Sequence, residues 1–491
     1  MKKWINDIDS QLLEIRNQYG HTYYQGFKTG KLNTDILKDL ADQQNALFST
    51  PSIVEKTEQI LAKTGNISSI TSETQRKASL LLKLLKQEEV EKSLPLVMAK
   101  SKILQAENAF VPSIDDKQQG YSKRREILSQ CKDRKKRYDA YFSLQPLLQS
   151  IERESHDLIQ LANEASAKIG YSNYFDFCLS QDDINSNQLE NDIENALIAT
   201  EESYKNLLEF SRQEIGTNRI EMFDFQLVNA KLLKEADRQF TRKSKISDLK
   251  KTLNSLAINL DELPVSIEVI DSPNAGTCFV LGSNDIRLTL GSEAGYFGHY
   301  VAFHEFGHAL HYSLQPQSAL LRDNGICMET MADFFANMLT DSEWLSEYTS
   351  MTEKEINNYL EMKKLVDSYR VRTMIRDTTF EFEIFKCPGE SFEKIWSNLN
   401  KKIMGVSSDK AIWSPFSVYR PAYTKNYVYS HFLSKQLAEI SKNKFGIQGK
   451  KRKAMLSLFE RITTPGNMTQ FKERIKSIGI DLDQLKVNIS L

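Results

Sequence analysis

The chain has 491 residues, 40% hydrophobic and 26% charged, enough apolar side chains for a sizeable buried core. Its 64 basic and 65 acidic residues leave a formal net charge of −1, so no bulk electrostatic signal points to nucleic acid or a membrane surface. Five scattered cysteines (Cys131, Cys178, Cys278, Cys327, Cys387) form no CxxC pair, which argues against a disulfide framework and a thiolate metal site and suits a reducing cytoplasm. Lys2 and Lys3 are followed by no apolar run of the kind that marks a secretory signal, and no stretch is long and apolar enough to span a bilayer. Cytoplasmic localisation is therefore expected.

Most of the chain reads as helix. Ser72 starts one, with a stripe at Ala78, Leu81, Leu82, Leu84 and Leu85. Punctuation is sparse, with 20 glycines and 11 prolines in all, too few for an all-β fold. A break at Val111-Pro112 and Gln118-Gln119-Gly120 precedes the basic run Lys132 to Arg137, which is short, interrupted by Asp133 and best read as a solvated helix face.

The pattern changes after Leu263-Pro264. Val265, Ile267 and Val269 alternate with polar residues as in a half-buried strand, and Thr277 to Leu281 and Ile286 to Leu290 read as two more. Turns are expected at Ser272 to Gly276 and Gly282 to Asp285, giving a small antiparallel sheet over 264–290. An exposed edge of it would let an extended peptide add as another strand; a purely structural sheet is the alternative.

His304-Glu305-Phe306-Gly307-His308 then spells HExxH between the apolar runs Val301-Ala302-Phe303 and Ala309-Leu310, in a helix over about 297–314. On a helix the two histidines, at i and i+4, project from one face toward one ion. Glu305 lies one position round, where its carboxylate can reach a metal-bound water without taking a metal position. Gly307 costs about 1 kcal/mol of helix propensity relative to Ala, which points to close packing there.

Two residues compete to be the third ligand. Glu329 adjoins the apolar face of a helix over about 326–340, where a carboxylate is costly to desolvate and a metal removes that cost. Asp333, one turn on, can accept the second ring N–H of a ligating histidine. His311 is the rival, three residues past His308, a spacing that fits poorly with the i, i+4 pair. Cys327 reads as a small buried apolar residue.

Aromatic density peaks at Tyr419, Tyr423, Tyr427 and Tyr429. In a helix over about 419–440, Tyr423 and Tyr427 share a face, and a phenol near a metal can donate to a developing oxyanion. Arg420 reads as a salt-bridge partner, or as the anchor of a substrate carboxylate.

In order and type these segments resemble the gluzincin zinc peptidases of the thimet oligopeptidase, oligoendopeptidase F and angiotensin-converting-enzyme group, over roughly 150–440. Ile169-Gly170-Tyr171-Ser172-Asn173-Tyr174 resembles the segment ahead of that family's catalytic half, Asp285-Ile286-Arg287-Leu288-Thr289 its edge strand, and His304 to His311 its zinc helix. Glu329 to Asp333 resembles its Glu-ligand helix, and Tyr423 to Tyr429 its tyrosine-rich helix. The resemblance implies a mainly α, prolate, two-lobed molecule with a deep central channel, a helical lobe over 1–150 and a catalytic region over 151–491. It implies one zinc ion per chain held by His304, His308 and Glu329, with Glu305 as base and Tyr423 or Tyr427 on the oxyanion. Short peptides would be the substrates, cut internally or, on the same scaffold, from a terminus anchored by Arg420 or Lys425. A peptide-binding zinc protein without turnover is a third reading. The chain departs from the family at one point: members carry a histidine shortly before the catalytic tyrosine, and here none occurs between 312 and 430, His431 coming after the tyrosines.

Overall fold

The computed structural model describes residues 1–29, 33–50, 52–62, 72–91, 94–241, 244–270, 276–291, 295–323, 325–408, 410–445 and 450–482. Helix dominates, as the periodicity predicts. The chain forms two compact units, neither bounded at residue 150: Met1–Glu88 with Phe240–Leu339 and the described residues from Leu433 onward, and Glu89–Gln239 with Thr340–Phe432. The first 88 residues thus belong with the segment that carries the HExxH motif.

In the first unit, helix α1 (Lys2–Thr29) buries Ile5, Ile8, Leu12 and Ile15, three or four residues apart on one face. The first three join Phe48, Ile53, Ile60, Ala78 and Leu81 in one apolar cluster with Ala319 and Leu320. Strands β1 (Val265–Val269), β2 (Thr277–Gly282) and β3 (Asp285–Leu290) form a sheet in the order β1-β3-β2. Here the expectation needs correcting. The hairpin β2–β3 is antiparallel, but β1 crosses over to pair with β3 in parallel, Val265 opposite Ile286, so the sheet is mixed. The Asp285–Thr289 segment is consequently the central strand and not an edge, which accords with the near-complete burial of Ile286, Leu288 and Leu290. The expected turn at Ser272–Ala275 lies outside the described residues.

On its other side β2 meets α1. A Cβ built on Gly20 would lie 2.2 Å from the Val280 carbonyl oxygen, and the Tyr24 and Phe27 rings each pack 5.6 Å from that of Phe279. Glycine is what allows the helix to come so near the strand.

Helices α2 (Gly295–Leu314) and α3 (Ile326–Ala336) follow, the second continued by a 3₁₀ turn over Asn337–Thr340. They pack against each other at Gly307, where a Cβ would stand 2.7 Å from the Ala332 Cα. That close approach is why a residue of poor helix propensity sits in mid-helix.

The second unit is built on long helices such as Gln145–Lys168, Ser186–Ile215 and Glu353–Lys386. The last opens with a reciprocal capping box between Thr352 and Glu355. The basic run is not wholly solvated: Arg137 is buried and pairs with fully buried Asp224 at 2.7 Å, and Arg134 reaches the same carboxylate at 2.9 Å. The tyrosine segment is broken where one helix was expected. Phe416–Tyr419 forms a single turn, Ala422 takes a left-handed φ of 59°, and the helix begins only at Lys425, running to Phe445.

Candidate metal centre

The centre is assembled in the first unit by α2, α3 and β2. On α2, His304 and His308 stand one turn apart with ring centroids 4.7 Å from each other. From α3, Glu329 brings its Oε2 to 3.3 Å from His304 Nε2 and 3.7 Å from His308 Nε2. An ion with bonds of about 2.0–2.1 Å in tetrahedral array sets its ligand atoms roughly 3.3–3.4 Å apart. Two imidazole nitrogens near such a separation from one carboxylate oxygen make a donor set that would suit zinc.

Asp333, one turn along α3, places Oδ1 3.1 Å from His304 Nδ1. This contact orients the ring with Nε2 toward Glu329, and with a metal bound it would leave the Nε2 lone pair for the ion. Tyr300 donates its hydroxyl to the same Asp333 oxygen at 2.6 Å, and its ring stacks on that of His304 at 5.6 Å. Sequence reading missed Tyr300. The signal was available, since position 300 is one helical turn before 304 on the same face.

Burial alone would lower the His304 imidazole, but its bonds to Asp333 and Glu329 prevail and raise it to about 10. His308 has no such bonds; burial and the neighbouring His304 lower it to about 4. Burial pushes Glu305 up to about 7, against the attraction of His304, with Glu329 adding to the rise. A divalent cation reverses this balance, favouring neutral imidazoles and ionised carboxylates.

Glu305 faces β2. Its carboxylate takes a backbone hydrogen bond from Cys278. At Gly276 a Cβ would stand 3.1 Å from Glu305 Cγ and 2.9 Å from the Thr289 carbonyl oxygen. The strand beside the motif is therefore β2, entered through a glycine that leaves room for the carboxylate.

His311 stands apart from this group. Fully buried, it bonds Thr463 through Nδ1 at 3.2 Å and Gln315 through Nε2 at 2.7 Å. Cys327 is buried too, but in polar company, with Sγ 3.4 Å from Asp323 Oδ2. Tyr423 and Tyr427 belong to the second unit. Tyr423 precedes the helix rather than sharing a helical face with Tyr427, yet their rings meet edge to face at 5.6 Å. No salt bridge to Arg420 is found among the described residues; its guanidinium lies 4.1 Å from the centre of the Tyr423 ring. Lys425 is buried against Asp182 at 2.5 Å and Asn426 at 2.8 Å, and so is committed within the fold.

No protein-family model matches the sequence, and no curated protein does. Solved structures do. The M32 carboxypeptidase of Deinococcus radiodurans R1 superposes with a TM-score of 0.67 over 99% of this chain and 96% of its own, at 11% identity. A putative oligoendopeptidase F of Bacillus anthracis str. Ames superposes with a TM-score of 0.60 over 90% of this chain and 82% of its own, at 14% identity. The chain has the fold of these peptidases. Among the described residues no helix is long and apolar enough to cross a membrane.

Proposed function

We propose that the protein is a zinc-dependent peptidase acting on short peptides, with His304, His308 and Glu329 as ligands and Glu305 as general base. What carries this reading is the convergence of His304 Nε2, His308 Nε2 and Glu329 Oε2 at ligand-like separations, with Glu305 alongside. Held by these residues, zinc would supply a water of lowered pKa, toward about 7, and a Lewis acid for the peptide carbonyl. Glu305 takes the proton of the attacking water and returns it to the departing amine. Asp333 and Tyr300 hold the His304 ring in the orientation the ligand role requires. Tyr423 and Tyr427 are the candidate oxyanion donors by resemblance of their segment. Replacing each by Phe and measuring kcat identifies which of them contributes.

A second reading, a carboxypeptidase mode on the same scaffold, is favoured by the near-complete mutual coverage with the M32 carboxypeptidase structure. The residues proposed as its charged anchors give it little help: Lys425 is already paired and Arg420 is stacked on Tyr423. Mass spectrometry of a mixed peptide library, with free and amidated C-termini, separates the modes. Internal cuts regardless of blocking establish an oligoendopeptidase. Stepwise loss of C-terminal residues, abolished by amidation, establishes a carboxypeptidase. A zinc-loaded protein that binds the peptides and yields no products removes the peptidase reading.

A further inference from the structure

The connection between α2 and α3 is held by contacts from segments far away in sequence. Asp9 of α1 accepts from Ser318 Oγ at 2.7 Å and from the Leu320 backbone N–H at 2.9 Å. Asn467 donates its backbone N–H to the Leu321 carbonyl at 2.7 Å and its side-chain amide to that of Arg322 at 2.8 Å. Gly466, with φ of 50°, lies so close that a Cβ would stand 2.4 Å from the Leu321 carbonyl oxygen.

The deepest of these contacts lies where α3 begins. Arg474, from the helix Phe471–Lys476, is 5% exposed, and its Nη2 lies 2.7 Å from Oδ1 of Asp323, itself 2% exposed. Its Nη1 donates to the Ile462 carbonyl and stands 3.8 Å from Cys327 Sγ. Asp323 Oδ2 accepts from the same Cys327, which lies in the first turn of α3, two residues before Glu329.

His311, Asp323 and Cys327 place one donor atom each within 4.8 Å of one another, a grouping that suggests a second metal site. The guanidinium argues otherwise. It already supplies the cation for Asp323, and a metal would have to displace it from a buried ion pair, which is costly because the freed charge stays buried.

We propose that Arg474 is a positioning residue for the metal centre: by holding Asp323 and the first turn of α3, it fixes where Glu329 stands relative to His304 and His308. This rests on the reading of those three residues as ligands. The connection is short, because Asp323 bonds Cys327, two residues before Glu329, and the ion pair is shielded from water. An Arg is suited to the task by its forked, permanently charged head, which engages Asp323 and the Ile462 carbonyl at once.

The test compares full-length parent, Arg474→Met and Arg474→Lys. Zinc affinity and stoichiometry are measured by chelator competition, and melting of the metal-free chains is recorded separately. Parent chain is expected to bind one zinc. Arg474→Met is expected to bind it about 10-fold or more weakly, the scale typical of lost outer-sphere support, and Arg474→Lys to fall between the two. A lower melting temperature with unchanged zinc affinity in the folded variant overturns the proposal, since that is the mark of a purely structural pair. Two tightly bound ions in the parent also overturn it, since the second would occupy the cluster assigned here to the guanidinium. If Arg474→Met does not fold, Arg474→Lys decides: weakened zinc binding upholds the role, and parental binding rejects it. A parent that binds no zinc refutes the metal-centre reading itself, an outcome distinct from a parent and variants that bind it equally.

Discussion

Gly307 and Ala332 bring the two metal-site helices into backbone contact, since a Cβ on Gly307 would lie 2.7 Å from the Ala332 Cα and 3.1 Å from the Phe335 Cβ. The glycine sits between the two histidines on α2, and Ala332 sits between Glu329 and Asp333 on α3. The separations of 3.3 and 3.7 Å between the proposed ligands thus depend on a contact that admits no side chain.

Gly307→Ala should therefore force the helices apart. We predict a loss of about 1–3 kcal/mol in stability, the usual cost of overpacking, together with weaker zinc binding. Urea unfolding with chelator competition tests this. Retention of both properties would mean that the helices can separate without disturbing the ligands.

Asp333→Ala removes the acceptor of His304 Nδ1 and of the Tyr300 hydroxyl together. Zinc affinity should fall about 10- to 100-fold. Tyr300→Phe removes only one of the two bonds and should cost less. Equal affinity in Asp333→Ala and parent, measured by competition, would show that the His304 ring needs no orienting partner.

Gly276→Ala places a methyl group against Glu305 and the Thr289 carbonyl. The proposed metal ligands lie on α2 and α3 and not on the segment of Gly276, so zinc binding should persist while kcat drops by up to about 100-fold from a displaced base. Equilibrium dialysis for zinc and steady-state kinetics on a cleaved peptide separate the two effects. Parental kcat would place Glu305 out of reach of the new methyl group.

In the second unit, Glu381 gives a pH prediction. It is fully buried, accepts from the Thr424 hydroxyl and the Ala422 backbone, and burial pushes its carboxyl up to about 8. The folded chain then keeps a proton that the unfolded chain releases above the ordinary carboxyl range. This contribution to stability is complete at low pH and is lost as pH rises toward 8, by up to about 1.4 kcal/mol per unit. Glu381→Gln, which cannot ionise, should flatten the decline. Denaturant unfolding at pH 5, 6.5 and 8 would contradict the assignment if parent and variant showed the same slope.

Much of this was legible in the residues. HExxH fixes a helical face by spacing alone, and Glu329 with Asp333 stands out because carboxylates adjoin an apolar stripe. Gly307 signalled a close approach, though not its partner, because helix–helix contacts carry no local pattern. Strand pairing was less readable: alternation at Val265–Val269 identifies a strand but is silent on its neighbour, and parallel pairing with β3 depends on a crossover. Helical spacing misplaced Tyr423, because Ala422 adopts a left-handed conformation that its side chain does not advertise. Arg474 lay beyond any sequence argument, since its pairing with Asp323 joins positions 151 residues apart.

The central claim is that Glu305 performs the proton transfer of peptide hydrolysis beside a zinc ion held by His304, His308 and Glu329. Its most direct test is kcat/KM of parent and Glu305→Gln on an internally quenched peptide, with zinc content measured on the same samples. The account predicts one zinc per chain in both and a fall of at least about 100-fold in the variant, the scale of lost general-base catalysis. A zinc-loaded Glu305→Gln that cleaves as fast as the parent contradicts it.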